Sequence, residues 1–137
     1  MRIIEVGPRD GLQNEPVTIP TSVKVAYVNA LAQTGLRDIE VSAFVSPKWV
    51  PQLADAEDVF RGIQREPGVT YSALVPNARG LERALSVDVP KIAVFTAASE
   101  TFSQKNVNTS IAGTFERFEP VLARAEARSV AVRGYVS

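Results

Sequence analysis

An arginine and an aspartate stand side by side just after the first apolar run of the sequence. Arg9 and Asp10 follow the run Arg2–Val6 and lie in the polar, turn-rich segment Gly7–Glu15. A carboxylate suits a hard divalent cation, and a guanidinium can clamp a carboxylate or stabilise an enolate oxygen. The same pair could be a weak ion pair in a surface turn, because such pairs are common. Local chemistry leaves these two interpretations open.

A second charged residue interrupts the next apolar run. Glu40 lies between two aliphatic residues, where burial of a carboxylate is costly unless the charge is paired. The period of two along a strand places Glu40, Ser42 and Phe44 on one face. In a barrel this face would be the interior, and Glu40 would reach Arg9. The alternative is that Glu40 faces outward against a helix.

Polar residues also lie within or after two later runs. Arg133 lies within the last apolar run and would need a carboxylate partner if buried, for which Glu40 and Asp10 are the candidates. Asn106 and Asn108 follow the fourth run and could bind a polar substrate. They could equally be turn residues before a helix cap.

The composition excludes several kinds of chemistry. The chain has no cysteine, which excludes disulfides, thiolate nucleophiles and cysteine ligands to a metal. It also has no histidine, which excludes imidazole catalysis and histidine ligands to a metal. Its 15 basic and 15 acidic residues cancel, which gives no reason to expect nucleic acid or a membrane surface as a partner. The N-terminal residues lack the apolar core of a signal peptide. We therefore expect a cytoplasmic protein.

Five apolar, β-prone runs recur roughly 20 to 40 residues apart, the scale of a strand plus a crossover helix. They are Arg2–Val6, Asp38–Phe44, Val69–Val75, Lys91–Thr96 and Val130–Val136. The order predicted is βαβαβαβαβ, which is typical of an α/β fold with a parallel sheet. A doubly wound open sheet and a (β/α)₈ barrel both fit this order. The chain ends directly after a strand, which an open sheet would tolerate but which in a barrel would mean that the domain is truncated.

Helical patterns fill the gaps between the runs. Their predicted starts or caps are, in order, Thr21 or Ser22, Asp55, Asn77 or Ala78, and Ser110. The first helix would carry Val23, Tyr27, Ala30 and Leu31 on one face and end at Gly35. The fourth would turn Phe115, Phe118, Val121 and Leu122 inward. Pro120 lies inside that fourth pattern and predicts a kink or a break.

Five segments together resemble the 3-hydroxy-3-methylglutaryl-CoA lyase family. Gly7–Glu15 is similar to its first-strand signature, and four further segments match in order: Phe44–Gln52, Ala97–Glu100, Lys105–Asn108 and Arg133–Ser137. The resemblance implies the N-terminal half of a parallel (β/α)₈ TIM barrel, about four and a half βα units. Residues 1–137 would then be a single partial domain.

The resemblance also implies roles for individual residues. Asp10 would ligate a divalent cation, Mg²⁺ or Mn²⁺, and Arg9 would stabilise the enolate, with Glu40 as a further catalytic residue. The substrate-binding residues would be Arg9, Gln13, Ser42, Asn106 and Arg133. The family's other metal ligands, two histidines and an asparagine, and its catalytic cysteine come from later strands. Ala43 stands where a serine is frequent in the family, so the acyl preference is left open.

The implied reaction is a retro-Claisen cleavage of 3-hydroxy-3-methylglutaryl-CoA to acetyl-CoA and acetoacetate, the step that serves leucine degradation and ketone-body formation. The chain alone is expected to be inactive, because one carboxylate cannot hold the cation without much water. An open half-barrel would expose two sheet edges and an apolar interior, which predicts a homo-oligomer or pairing with the missing half. The alternatives are a lyase for a longer branched thioester, and a non-catalytic half-barrel interaction module.

Overall fold

A parallel sheet with helices on one face forms the framework of the computed structural model, which describes residues 2–137. Its strands are hydrogen-bonded in sequence order and are β1 (Asp38–Ala43), β2 (Thr70–Leu74), β3 (Lys91–Thr96) and β4 (Ala131–Val136). All three strand pairings are parallel. The helices are α1 (Thr21–Ala32), α2 (Ala56–Gly62), α3 (Ala78–Leu85), α4 (Glu100–Val107) and α5 (Ile111–Ala127). The predicted α/β class with a parallel sheet is confirmed.

The hydrophobic core lies between the sheet and the helices. Alternate strand residues face the helices there, among them Ile39, Val41, Tyr71, Ala73, Ile92 and Val94. They meet buried helix residues that include Val28, Phe60, Leu81, Phe118 and Val121. Full burial of side chains of this size contributes roughly 1.5–3 kcal/mol each. This core fixes the strands, and the opposite face of the sheet is left for polar residues.

The first predicted strand is the main error in the predicted topology. Arg2–Val6 is not a regular strand and pairs with β1 through one parallel bridge, between Glu5 and Ile39. The amide of Glu5 donates to the carbonyl of Asp38 at 2.9 Å, and the amide of Glu40 donates to the carbonyl of Glu5 at 2.8 Å. The segment still lies beside β1 and delivers the chain into a five-residue π-helical turn, Gly7–Gly11.

A β-bulge in β1 changes which side of the sheet its last residues face. The register with β2 shifts between Glu40 and Ser42, so the simple period of two is lost there. Phe44 therefore joins the helix-facing core, where its ring stacks on Phe60 with centroids 5.8 Å apart. Glu40 faces the other side of the sheet. The prediction that Phe44 shares a face with Glu40 was wrong.

The first helix also departs from its predicted cap and face. α1 begins at Thr21 and has no side-chain cap, because the N-cap residue is Pro20, which lacks a side-chain acceptor. The Thr21 hydroxyl donates to Asp55 at 2.6 Å. Its buried residues are Lys24, Val28 and Ala32, whereas Val23 and Tyr27 of the predicted apolar face are exposed. The predicted stop at Gly35 agrees with the positive φ of that residue, 88°.

The later helices agree better with the sequence patterns. The side chains of Asn77 and Ser110 cap α3 and α5 as predicted, through the amides of Gly80 and Gly113. α5 runs unbroken through Pro120. The helix is held by burial of Phe118 and Val121, which outweighs the missing proline N–H. Phe115 and Leu122, predicted to face inward, are exposed, and α4 was not predicted.

The sheet face away from the helices carries charged residues among apolar ones, so it is more polar than the expected apolar interior. Strand pairing places Ala93 beside Arg133 and Phe95 beside Tyr135 on this face, which also carries Glu40. At its N-terminal end Asp38 is almost fully buried and accepts from Arg2 at 2.7 Å and from Lys91 at 3.3 Å. No helix within residues 2–137 is both long and apolar enough to cross a membrane.

Candidate functional site

The carboxylate of Glu40 organises the polar face of the sheet. Its side chain is fully buried on β1. Oε1 accepts from Nε of Arg9 at 2.6 Å, and Oε2 accepts from Nη2 of Arg133 at 2.6 Å and from the hydroxyl of Tyr135 at 2.7 Å. Both oxygens are therefore occupied, and the costly burial of the charge is offset by two cations and a hydroxyl. The predicted contacts of Glu40 with Arg9 and Arg133 are present.

The turn that presents Arg9 and Asp10 is built from residues suited to tight backbone geometry. Pro8 stands at its first turn, where a missing N–H costs nothing. The carbonyl of Val6 accepts from the amides of both Arg9 and Asp10, at 3.1 and 2.7 Å. The turn lies at the end of the Arg2–Val6 segment. It thereby points Arg9 across to Glu40 and leaves Asp10 at the rim.

Arg9 bridges two carboxylates. Its Nη1 donates to Oδ1 of Asp10 at 2.8 Å while its Nε is held by Glu40. The side chain of Arg9 is 13% exposed and that of Asp10 is 59% exposed. The guanidinium is thus fixed in the interior of the polar face, whereas the carboxylate of Asp10 reaches solvent.

Tyr135 is a member of this cluster that sequence reasoning missed as a functional residue. Its hydroxyl donates to Glu40 and accepts from Nη2 of Arg133 at 2.6 Å, and its ring lies 4.8 Å from the guanidinium carbon of Arg133. Burial raises the pKa of the Tyr135 hydroxyl, and its hydrogen bond to Glu40 raises the pKa further. The signal was available, because Tyr135 lies two residues after Arg133 and so faces the same side of β4.

Arg133 retains donors that no described residue satisfies. Its side chain is 17% exposed, yet Nε and Nη1 are buried atoms without a hydrogen-bond partner among residues 2–137. A buried unpaired donor on a cation costs free energy, and such a group calls for an explanation.

Three predicted substrate-binding residues lie outside the Glu40 cluster. Gln13 is half-buried and lines a cavity of about 290 Å³ together with Trp49 and Gln52. Ser42 is buried on β1, where the bulge pairs it with Ala73 of the helix-facing core. Asn106 is exposed near the end of α4. Their roles stay predictions, because the described contacts neither bring these residues together nor oppose such roles.

Asp10 has the chemistry of one ligand to a hard divalent cation. It is a solvent-accessible carboxylate with one oxygen held by Arg9, and oxygen donors are what Mg²⁺ and Mn²⁺ prefer. Among the residues that the structure describes, no group of three or more acidic, histidine or cysteine side chains could hold a metal ion. The described residues therefore fit a single protein ligand and leave the rest of the coordination sphere to other donors.

A protein-family model described as HMGL-like matches residues 1–136 of the chain. The chain belongs to the HMGL-like family. The resemblance drawn from its five ordered segments is thereby confirmed. The alignment to this family covers the turn with Arg9 and Asp10, the Glu40 strand and the Arg133 strand in one continuous match.

Curated relatives of this HMGL-like chain are lyases of matching name. Over all 137 residues it is 56% identical to the 3-hydroxy-3-isohexenylglutaryl-CoA/hydroxy-methylglutaryl-CoA lyase of Pseudomonas aeruginosa, covering 46% of that protein. It is 54% identical to the cytoplasmic 3-hydroxy-3-methylglutaryl-CoA lyase of Rattus norvegicus, covering 40% of it. The chain thus spans less than half the length of these relatives and matches their N-terminal part.

A solved structure extends the comparison to three dimensions. The HMG-CoA lyase of Acinetobacter baumannii in complex with coenzyme A and 3-methylmalate is 36% identical, with a TM-score of 0.94 over 98% of this chain and 44% of its own. The structural neighbours are TIM barrels, and this chain corresponds to their N-terminal part. The choice between an open sheet and a barrel is therefore settled in favour of the barrel fold.

Proposed function

We propose that the Glu40 cluster is part of the site of a carbon–carbon lyase that cleaves 3-hydroxy-3-methylglutaryl-CoA to acetyl-CoA and acetoacetate. One observation carries the proposal. The buried carboxylate of Glu40 holds the guanidiniums of Arg9 and Arg133 side by side on one face of the sheet. Two fixed cations on one polar face are suited to a substrate whose reaction develops negative charge on oxygen.

The reaction needs charge stabilisation at two places. The hydroxyl at C3 loses its proton, the bond between C2 and C3 breaks, and its electron pair becomes the enolate of the acetyl thioester. The carbonyl of acetoacetate forms at C3, and protonation of the enolate carbon completes acetyl-CoA. Arg9 would donate to the enolate oxygen, and Arg133 would orient an oxygen of the acyl group.

Glu40 would act in this scheme as a positioning group. Both of its oxygens accept hydrogen bonds, from Arg9, Arg133 and Tyr135, and its side chain is fully buried, so no exposed oxygen faces a substrate. Its role is to hold the guanidiniums of Arg9 and Arg133 at fixed positions, so that these groups need to move little when the enolate forms. This interpretation modifies the expectation of a direct catalytic role.

A divalent cation fits the proposal through Asp10. When bound, Mg²⁺ or Mn²⁺ would polarise the oxygens of the substrate. Asp10 would supply one carboxylate oxygen, and Arg9 would keep that carboxylate oriented through its Nη1 contact. Asp10→Asn preserves the size of the side chain and weakens the ligand, so it is expected to raise the cation concentration needed for activity.

A chimeric enzyme tests the proposal with its proper surroundings. Residues 1–136 replace the matching N-terminal part of the Pseudomonas aeruginosa relative, to which the chain is 56% identical. We expect cation-dependent release of acetyl-CoA and acetoacetate from 3-hydroxy-3-methylglutaryl-CoA. A folded chimera without turnover would contradict the proposal. The 137-residue chain alone is expected to show no turnover with Mg²⁺.

An arginine pair supplies the matched control for this chimera. Arg9→Met is expected to lower kcat by on the order of 10²–10³-fold, the usual cost of losing one donor to an oxyanion. Arg124→Met removes an arginine whose carboxylate contact, to Glu82, lies on the exposed surface of α5. It is expected to leave kcat unchanged. Equal kcat values for the two variants would refute the role of Arg9.

A longer branched acyl chain is the second candidate substrate. The Pseudomonas aeruginosa relative is named for both 3-hydroxy-3-isohexenylglutaryl-CoA and hydroxymethylglutaryl-CoA. Ala43 is fully buried at the end of β1 and pairs with Leu74, which leaves this position small and apolar. Comparing kcat/KM for the two thioesters decides between the substrates, and Ala43→Ser is expected to favour the shorter one.

The surroundings of the protein follow from the same proposal. An acyl-CoA thioester is the partner it requires, as the bound coenzyme A in the Acinetobacter baumannii relative suggests. A cytoplasmic location is proposed because the rat relative is named for that compartment. Size-exclusion chromatography of the 137-residue chain tests the expected self-association. If the chain forms a stable homodimer and the chimera has no lyase activity, the interaction-module alternative is favoured.

A further inference from the structure

A buried glutamine holds the segment that follows the Arg9–Asp10 turn. Gln52 is 8% exposed and lies in the 3₁₀ turn Pro51–Leu53 after β1. Its Oε1 accepts from the amide of Ile19 at 2.9 Å. Its Nε2 donates to the carbonyls of Val17 at 2.8 Å and Glu15 at 3.2 Å. One side chain therefore binds three backbone groups of residues 15–19.

The held segment is connected to Asp10 by hydrogen bonds between residues close in the sequence. The amide of Glu15 donates to the carbonyl of Leu12 at 3.1 Å, and the amide of Asn14 donates to the carbonyl of Gly11 at 3.3 Å. The side chain of Asn14 donates to the carbonyl of Asp10 at 2.9 Å. The segment that Gln52 holds is thus connected, through two backbone hydrogen bonds and the Asn14 side chain, with the residue proposed to bind the cation.

The backbone of Gln52 is itself fixed from the helix layer. The carbonyl of Gln52 accepts from Nζ of Lys24, a residue of α1 that is 4% exposed. The same ammonium donates to Oδ1 of Asp55 at 2.7 Å, and the hydroxyl of Thr21 donates to Oδ2 of Asp55 at 2.6 Å. A charge-assisted network therefore holds the glutamine in place.

We propose that Gln52 is a positioning residue that sets the placement of Asp10 and Gln13. This inference rests on the proposed function for the importance of those two residues. Gln13 follows Asp10 by three positions and, like Gln52, lines the 290 Å³ cavity at this edge of the sheet. Among residues 2–137, the side chain of Gln52 hydrogen-bonds to Glu15, Val17 and Ile19, and to neither Asp10 nor Gln13. It acts through residues 15–19, as a support for a site carried on a loop.

Tyr71 provides a matched control elsewhere in the same chain. Its hydroxyl accepts from the amide of Glu66 at 3.0 Å and donates to the carbonyl of Gln64 at 3.2 Å. It is thus a buried side chain that binds the backbone of the loop before β2. Tyr71→Phe removes these two bonds and leaves the ring in the core. It measures the general effect of losing a loop support.

The test compares Gln52→Ala, Gln52→Glu and Tyr71→Phe in the 137-residue chain by heteronuclear magnetic resonance. Gln52→Ala is expected to shift the Asp10 and Gln13 amide signals and the Arg9 Nε–H signal, and to raise amide exchange at Ile19 at least tenfold. Gln52→Glu keeps the acceptor for Ile19 and loses both donors. It should preserve Ile19 protection and still move the Asp10 and Gln13 signals.

Mn²⁺ alone supplies a second readout. Paramagnetic broadening at Asp10 should need several-fold more Mn²⁺ in Gln52→Glu than in the Tyr71→Phe chain. The proposal is overturned if Gln52→Glu leaves the Asp10, Gln13 and Arg9 signals as they are in Tyr71→Phe. If the parent chain shows no broadening at Asp10, this carboxylate does not hold Mn²⁺ without the other donors, and the chemical shifts alone decide the positioning role.

Discussion

Removal of the Glu40 carboxylate is expected to destabilise the fold more than any surface charge change. Glu40→Ala leaves two guanidiniums that are only 13% and 17% exposed, those of Arg9 and Arg133, without their shared counter-ion. Breaking a buried ion pair by deleting one partner costs roughly 3–5 kcal/mol. The total stability of a domain is about 5–15 kcal/mol, so this one change would remove a large part of it.

Urea unfolding of the chain, followed by far-ultraviolet circular dichroism, measures this loss. Trp49 is 80% exposed and would be a poor fluorescence probe of the core. With a urea slope of roughly 2 kcal/mol per molar, a loss of about 4 kcal/mol moves the midpoint by about 2 M. Glu82→Ala, which removes a carboxylate from an exposed pair with Arg124, is expected to stay within about 0.5 kcal/mol of the parent.

A double-mutant cycle distinguishes the orphaned cation from a simple loss of packing. In an Arg133→Met background, Glu40→Ala leaves one buried guanidinium where there were two, so its cost should fall by at least about 1 kcal/mol. The reasoning is refuted if Glu40→Ala and Glu82→Ala unfold at midpoints that agree within error. It is also refuted if the cost of Glu40→Ala is the same in both backgrounds.

Three further predictions concern acid, alkali and a helix cap. The hydrogen bond from Arg2 lowers the pKa of Asp38 in the folded chain. The ionised carboxylate therefore stabilises the fold above its unfolded pKa, and this contribution is lost as the pH falls below about 4. Asp38→Asn should make the urea midpoint less dependent on pH in that range. Burial and Glu40 raise the pKa of Tyr135, so stability should fall as the pH rises above about 10, and Tyr135→Phe should remove that fall. Asn77→Ala removes the side-chain cap of α3 and should lower the free energy of unfolding by about 1 kcal/mol in the same assay. An unchanged free energy of unfolding would show that the cap does not stabilise the helix.

The sequence predicted the sheet well because buried parallel strands leave a strong local signal. The run Lys91–Thr96 was predicted with its observed bounds, and three others were correct within one residue at each end. The contacts of Glu40 with Arg9 and Arg133 could also be anticipated, since a charge between aliphatic strand residues must be paired. These inferences depend on alternation and on charge, which are both written in the local sequence.

The remaining features depend on long-range geometry that local patterns do not contain. The bulge in β1 arises from its register with β2, and it moved Phe44 to the helix-facing side. The buried face of α1 includes Lys24 because Asp55 and the carbonyl of Gln52 satisfy its charge, whereas a hydrophobic pattern would place lysine outside. Both errors come from partners about 30 residues away in the sequence.

The spacing of the Glu40 contacts has a consequence for the order of folding. The partners of its second oxygen, Arg133 and Tyr135, lie 93 and 95 residues further along the chain. Contacts of such separation form late, because the entropy of closing a long loop must be met before they contribute. Until β4 docks, the carboxylate lacks these two partners. Completion of the polar cluster and completion of the sheet are therefore one kinetic event, and Glu40 variants should change the unfolding rate more than the folding rate.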